Sequence, residues 1–268
     1  MGKPIVYLLV RDEPFGFGET LGMLRRQSLA GCRMVAVTPP GLGAATEKLI
    51  GPNFAERIVA LDEAVGAALN GHLAQSDADV AIVLDGAYLP STTVWLERLV
   101  APLENGEADI TLSRMVHDLY TNWLVQNDFR SIQHLADRSA PSPFLFLFGA
   151  FAFKTAVAAK KPFPDDAGYA DAGFRWRLTD PGTTALVADA TVSHLFPIGP
   201  AEYAAAHRRY ARSCPDGGGP FAHALRLAFG GFVRDLSLIF SRRAPQWLPY
   251  AVYFRTRLFL GVLFGGNN

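Results

Sequence analysis

The sequence predicts an α/β protein: a mostly parallel sheet flanked by helices, with a C-terminal amphipathic helical tail. Three observations lead there. Short apolar runs of strand length alternate with segments of helical apolar spacing along most of the chain, the pattern of parallel strands joined by helical crossovers. One run, Asp79-Val80-Ala81-Ile82-Val83-Leu84-Asp85-Gly86, is rich in β-branched residues and stops at a carboxylate followed by glycine. Open α/β sheets deliver polar groups to their carboxyl edge in this way, and ligands bind there. Beyond residue 219 the composition turns basic and aromatic.

Each element can be justified in order. Residues 5–10 form an apolar strand, and 18–28 a helix with Leu21 and Leu24 on one face. A strand at 33–37 ends in Thr38-Pro39-Pro40-Gly41, which cannot continue in a sheet. A third strand around 57–60 precedes a helix at 63–74. The strand ending at Asp85 is followed by a helix at 93–103 and a strand at 109–113. Residues 115–140 are polar and irregular, and are expected to form a loop or insertion on the acceptor side. The very apolar stretch 144–153 reads as one buried strand, and after Asp189 the chain is expected to be helical and basic.

With 268 residues, 50% apolar and 19% charged, the chain is ordered and can bury a substantial core. Its zero net charge argues against a general nucleic-acid-binding surface. From Pro220 onward, however, six arginines face the single acid Asp235, so the tail carries +5 and the other 219 residues −5. Phe232, Val233, Leu236, Ile239 and Phe240 share helical spacing, with Arg234, Asp235, Ser241 and Arg242 elsewhere on the wheel. Trp247, Tyr250, Tyr253 and Phe254 follow, with Arg255 and Arg257 between them and the apolar end. Aromatics interleaved with arginines suit a helix lying in the interface of an anionic membrane. No uncharged apolar run reaches the roughly 18 residues of a membrane span. Cys32 and Cys214, far apart and in no metal-type spacing, are expected to be free thiols in a reducing compartment. Met1-Gly2-Lys3-Pro4 leads straight into a strand without a signal peptide, so a cytoplasmic location, peripheral on the inner face of the cell membrane, is expected. The domain division expected is 1–219 for the α/β body and 220–268 for the tail.

Several motifs, in order, carry a family resemblance. Glu19-Thr20-Leu21, then Leu24 and Gln27, is similar to a first helix reading E-T-L-x-S-L-x-x-Q. Ala67-Ala68-Leu69-Asn70-Gly71-His72-Leu73-Ala74 leads into the Asp85 strand, and Trp95-Leu96-Glu97-Arg98-Leu99-Val100 matches a W-L-E-x-L-V helix. Phe163-Pro164-Asp165-Asp166, Tyr169-Ala170-Asp171-Ala172-Gly173-Phe174-Arg175-Trp176-Arg177-Leu178 and Val192-Ser193-His194 complete the series. Together they resemble the family 2 glycosyltransferases, which have the nucleotide-diphospho-sugar-binding GT-A fold. The resemblance runs from about Ile5 to Arg212.

The resemblance implies a transferase that moves a sugar from a nucleotide-sugar donor to a glycan or lipid-linked acceptor, with inversion, in polysaccharide or cell-envelope synthesis. Asp171 occupies the position of the general base. Asn70 and Asp85 fall in donor-binding motifs. The first strand ends in Arg11-Asp12-Glu13, so Asp12 or Glu13 is the expected nucleotide contact. A Mn²⁺ or Mg²⁺ ion would be held by Asp85 with His194. Ala87, however, stands where the family has its second metal-binding acid, Ala170 replaces a Glu and Gly173 an Asp. Metal-independent donor binding, with Arg208 and Arg209 neutralising the leaving diphosphate, is the other expectation. The lost acids also admit an inactive GT-A relative that serves as a binding or scaffolding partner in glycan assembly.

Overall fold

The computed structural model describes residues 3–10, 17–29, 31–51, 54, 56–116, 123–136, 141–148, 150–195, 198–213 and 219–265. The chain forms two compact units. Unit 1 comprises Met1–Asp118 with Gln133–Phe196, and unit 2 comprises Leu119–Ile132 with Pro197–Asn268. These units do not coincide with a division after residue 219.

Unit 1 alternates strands and helices as its apolar pattern dictates. Its elements are β1 (Ile5–Leu9), α1 (Phe17–Arg25), β2 (Arg33–Thr38), α2 (Ala44–Ile50), β3 (Glu56–Val59), α3 (Val65–Leu73), β4 (Val80–Asp85), β5 (Tyr88–Pro90), α4 (Trp95–Glu104) and β6 (Ile110–Val116). After α5 (Trp123–Ala136), which begins in unit 2, come β7 (Ala150–Lys154), α6 (Thr155–Lys160), α7 (Ala172–Leu178) and β8 (Thr184–His194). The sheet has eight strands in the order β3-β2-β1-β4-β7-β6-β8-β5. Strands β3, β2, β1 and β4 run parallel, as do β6 and β8, whereas β7 is antiparallel to both its neighbours and β5 to β8. Every residue of β1 and β4 is buried. Strands covered by helices on both faces need continuous apolar runs rather than alternation, and these two have them. The mostly parallel sheet flanked by helices therefore stands as the sequence implies.

Three local expectations are corrected. Residues 123–136 are helix, not irregular chain. The helix buries Asp128 alongside Leu124, Val125 and Phe129, and an acid on the inner face hides the apolar stripe. The stretch expected as one strand divides into a 3-10 turn, Pro143–Phe148, and β7. A continuous apolar run has no period to separate the two. After Asp189 the chain stays extended to His194, with Ala190, Val192 and His194 buried in alternation. Cys32 is a free thiol, and Cys214 lies outside the described residues.

Unit 2 contains α8 (Pro200–Ser213), α9 (Gly219–Ser241) and α10 (Leu248–Phe264), with the first part of α5. An ionic cluster ties three of these helices together. Arg255 on α10 donates to both oxygens of Asp128 at 2.6 and 2.9 Å, and to both of Asp235 at 2.7 and 2.8 Å. Arg234 adds a bond to Asp128 at 2.9 Å. Asp128 and Asp235 are wholly buried. Burial works against the Arg255 charge, but the hydrogen bonds to Asp235 and Asp128 outweigh it and hold the guanidinium above the usual arginine range. A Cβ at residue 231 would fall 2.3 Å from Arg255 Nη1, so glycine there lets Arg255 cross α9. These bonds join the helices from residue 220 onward to Asp128 within unit 2.

His207 and His223 are hydrogen-bonded beside this cluster, Nδ1 to Nε2 at 3.1 Å. Burial, and then the charges of His223, Arg255 and Arg234, press the His207 value well below normal. The unfolded chain takes up this proton near the ordinary histidine value of about 6.5, so below that pH the unfolded state binds more protons than the folded one. Stability is therefore expected to fall as pH drops through this range. Denaturation midpoints measured across the window, with His207→Asn flattening the slope, check it.

Candidate functional site at the carboxyl edge of the sheet

Asp85 ends β4, buried beside the end of β1, with Leu9 as its register partner. Its Oδ1 accepts the Ala87 N–H at 2.9 Å, and the Gly86 N–H continues the ladder to the Leu9 carbonyl at 2.8 Å. A Cβ on residue 86 would lie 3.2 Å from that carbonyl and 3.3 Å from the Phe17 ring, so a larger residue would need these neighbours to give by a few tenths of an ångström. The chain then enters β5, whose Tyr88 pairs with His194 at the end of β8. The two rings meet edge to face at 4.9 Å, and Leu195 N–H bonds the Ala87 carbonyl at 2.8 Å. The pairings β1–β4 and β5–β8 thus bring Asp85, Ala87 and His194 to one end of the sheet.

Asp171 is held by a different set of contacts. The loop after α6 folds over the first turn of α3: Gly66 N–H bonds the Ala167 carbonyl at 2.9 Å, and Tyr169 N–H bonds Asp62 Oδ1 at 3.0 Å. Asp171 follows as the cap residue of α7, yet its side chain does not bond forward into the helix. Its Oδ1 instead accepts the Gly168 N–H at 2.9 Å, which fixes the carboxylate through one oxygen. The residue is half-buried. At residue 173 a Cβ would lie 2.4 Å from the Phe151 ring, so close packing against β7 explains the glycine where the family has an acid.

Asn70 has a bracing position. Its amide donates to the Phe163 carbonyl at 2.8 Å and to Asp165 Oδ1 at 3.2 Å, and accepts the Phe163 N–H at 3.0 Å. Both ends of the amide thus hold the loop that leads to Asp171. Packing at Gly66 is tighter still, because an added Cβ would fall 1.9 Å from the Pro164 carbonyl oxygen. Gly66→Ala is expected to cost about 1–3 kcal/mol and to loosen the Asp171 loop. A lowered denaturation midpoint, with faster amide exchange at Gly168 and Tyr169, would show it.

Polar groups that sequence reasoning missed stand at the end of β2. The Thr38 hydroxyl, wholly buried, accepts Arg57 Nε at 2.8 Å, and Arg57 Nη1 reaches Glu47 at 2.8 Å. The end of β2, at Pro39 and Pro40, therefore has a carboxylate nearby, supplied from α2. No motif marks it, because it comes from a neighbouring element.

Asp12 and Glu13 lie outside the described residues. Arg208 and Arg209 belong to unit 2, where Arg208 is buried and its Nε donates to the Gly261 carbonyl at 2.9 Å. Among the described residues, no three His, Cys, Asp or Glu side chains converge as a metal ion would need. Hard cations take about six or more oxygen ligands. Asp85, already bonded to Ala87, and His194 do not make such a site alone.

No protein-family model and no curated protein matches the chain. Solved structures do match in fold. The mannosyltransferase PcManGT from Pyrobaculum calidifontis, in complex with GDP-Man and Mn²⁺, superposes with a TM-score of 0.60 at 17% identity, over 99% of this chain and 76% of that one. Residues 1–349 of Staphylococcus aureus TarS, in complex with UDP, give 0.56 at 13% identity, over 97% and 89%. A longer S. aureus TarS structure gives 0.53 at 12% identity, and the match covers 85% of this chain but only 43% of that one. The fold is accordingly GT-A-like, shared with glycosyltransferases.

Proposed function

We propose that the chain is an inverting glycosyltransferase of the family 2 type, moving a sugar from a nucleotide-sugar donor to a glycan or lipid-linked acceptor in envelope polysaccharide synthesis. The observation that carries this reading is a GT-A-like fold in which Asp85 ends β4 and Asp171 sits in the loop bonded to the first turn of α3. The bound UDP and GDP-Man of the structural neighbours support the donor class. Asp171, held at Oδ1 by Gly168, takes the acceptor hydroxyl proton at its other oxygen as the hydroxyl attacks the anomeric carbon. The bond from that carbon to the diphosphate breaks on the opposite face, so configuration inverts. Asp85 and His194 position the donor. An NMR assignment of the product's anomeric centre tests this: inversion is expected, and retention would sink the role of Asp171 as base.

The missing acids at 87 and 170 favour a second reading, a binding or scaffolding relative without turnover. A donor that binds without being transferred to any acceptor would select it.

Unit 2 supports contact with an anionic membrane surface. Phe221, Leu225, Phe229 and Val233 recur every fourth residue on α9, and Leu248, Val252, Leu260 and Phe264 lie on α10 in the same spacing, all exposed. Between the two helices runs an apolar groove of about 310 Å³. Exposed apolar area of this kind marks an interaction site. Arg226, Arg242, Arg243 and Arg257 are exposed, while Arg234 and Arg255 are spent on Asp128 and Asp235. No helix among the described residues is long and apolar enough to cross a membrane. Deleting residues 245–268 would strip Asp128 and Asp235 of Arg255, so surface variants give the cleaner test. Phe229→Ser with Phe240→Ser is expected to weaken sedimentation with anionic vesicles at least about tenfold, from the loss of about 1.5–3 kcal/mol per buried side chain. Unchanged sedimentation would reject the contact.

A further inference from the structure

Unit 2 contains a second cavity, away from the apolar groove and distinct from it in chemistry. It lies between the start of α8 and the end of α10, has a volume of about 320 Å³, and is lined by Ala204, Arg208, Arg257, Gly261, Phe264 and Gly265 among others. That volume is at the lower end of ligand pockets, about 300–1,000 Å³. Two guanidinium groups line it and no carboxylate does. They differ in setting. Arg208 is buried on α8 and tied through Nε to the Gly261 carbonyl, whereas Arg257 is exposed on α10 at the mouth.

The seat of Arg208 is built rather than incidental. A Cβ at residue 261 would fall 2.7 Å from the Ala204 methyl, so glycine there lets α10 approach α8 closely enough for the Nε bond. A Cβ at residue 265 would collide with Arg208 Nη2. Burial, and then the nearby charge of Arg212, depress the Arg208 value from the ordinary arginine range. Leu260 and Phe264, both exposed, form an apolar rim on the side of α10 that continues the exposed apolar row.

We propose that Arg208 and Arg257 form a phosphate-binding pocket, taking the phosphate of a lipid headgroup whose apolar part lies against Leu260 and Phe264, or a free phosphate or diphosphate. Guanidinium groups bind such oxyanions through paired, charge-assisted hydrogen bonds. An apolar rim around a cationic floor matches an amphiphile. The site is independent of sugar transfer, so failure of donor binding leaves it standing.

The test uses the full chain and two probes, inorganic pyrophosphate and phosphatidylcholine vesicles with about 20 mol % phosphatidic acid. Arg257→Gln is expected to weaken binding of the effective probe by about tenfold or more. Arg242→Gln removes the same charge from the end of α9, outside the pocket, and is expected to leave pyrophosphate binding unchanged and to weaken vesicle binding by no more than about fivefold. Gly265→Ala, which displaces Arg208 without changing charge, should reproduce the Arg257→Gln loss. Pocket-dependent binding of vesicles alone assigns the headgroup, of pyrophosphate alone the free anion, and of both the phosphate group common to them. A loss for Arg257→Gln no greater than for Arg242→Gln, or no binding of either probe, overturns the proposal.

Discussion

Asp171→Asn is expected to lower the transfer rate by about 10²–10⁴-fold, the usual contribution of a positioned general base, with donor affinity nearly unchanged. The substitution is close to isosteric, and Asn keeps an oxygen that can accept the Gly168 N–H at the place of Oδ1. The loop over α3 and the start of α7 should therefore remain in place. What is lost is a group able to hold the acceptor's proton. A steady-state assay with separate donor-binding measurements distinguishes this from a binding defect. Turnover within a few-fold of the parent would remove Asp171 from the chemistry.

Arg255→Met should have the largest effect on stability, about 3–5 kcal/mol. The side chain satisfies four carboxylate oxygens, two on Asp128 and two on Asp235, and all three residues are buried. Removing it leaves two buried acids, of which only Asp128 retains an arginine partner, Arg234. Chemical denaturation followed by a probe in unit 2, such as Trp247 fluorescence, measures the loss. Restoring neutrality with Asp128→Asn and Asp235→Asn in the Arg255→Met background should recover part of it, because the cost lies in uncompensated buried charge. No recovery would mean that packing, rather than charge, holds these helices.

The legible parts of the fold were those with a period or a sharp end. β1 and β4 announce themselves as unbroken apolar runs, and Asp85-Gly86 marks the sheet edge because no other residues suit that turn so well. Some of the residues that carry the resemblance hold the scaffold together. The Gln27 side chain bonds the Met23 and Thr92 carbonyls and accepts the Leu96 N–H, tying α1 to the start of α4. Trp95 Nε1 reaches Ser113 on β6 at 2.9 Å. Asn70, expected to contact a donor, has an amide that braces the Phe163 loop. What stayed hidden depends on distant pairing. Asp128 reads as a surface acid until Arg255, 127 residues away, is placed against it. The Glu47–Arg57–Thr38 group at the end of β2 and the Arg208–Arg257 cavity arise only when separate elements meet.

The central claim is that the carboxyl edge of this sheet binds a nucleotide sugar. Calorimetric titration with a panel of UDP-, GDP-, dTDP- and CMP-linked sugars, each with and without Mn²⁺ or Mg²⁺, tests it most directly. The expected result is saturable binding of at least one donor, weakened about tenfold or more in Asp85→Ala by loss of a charged hydrogen-bonding group. Absence of binding by every member of the panel, in either metal condition, would contradict it.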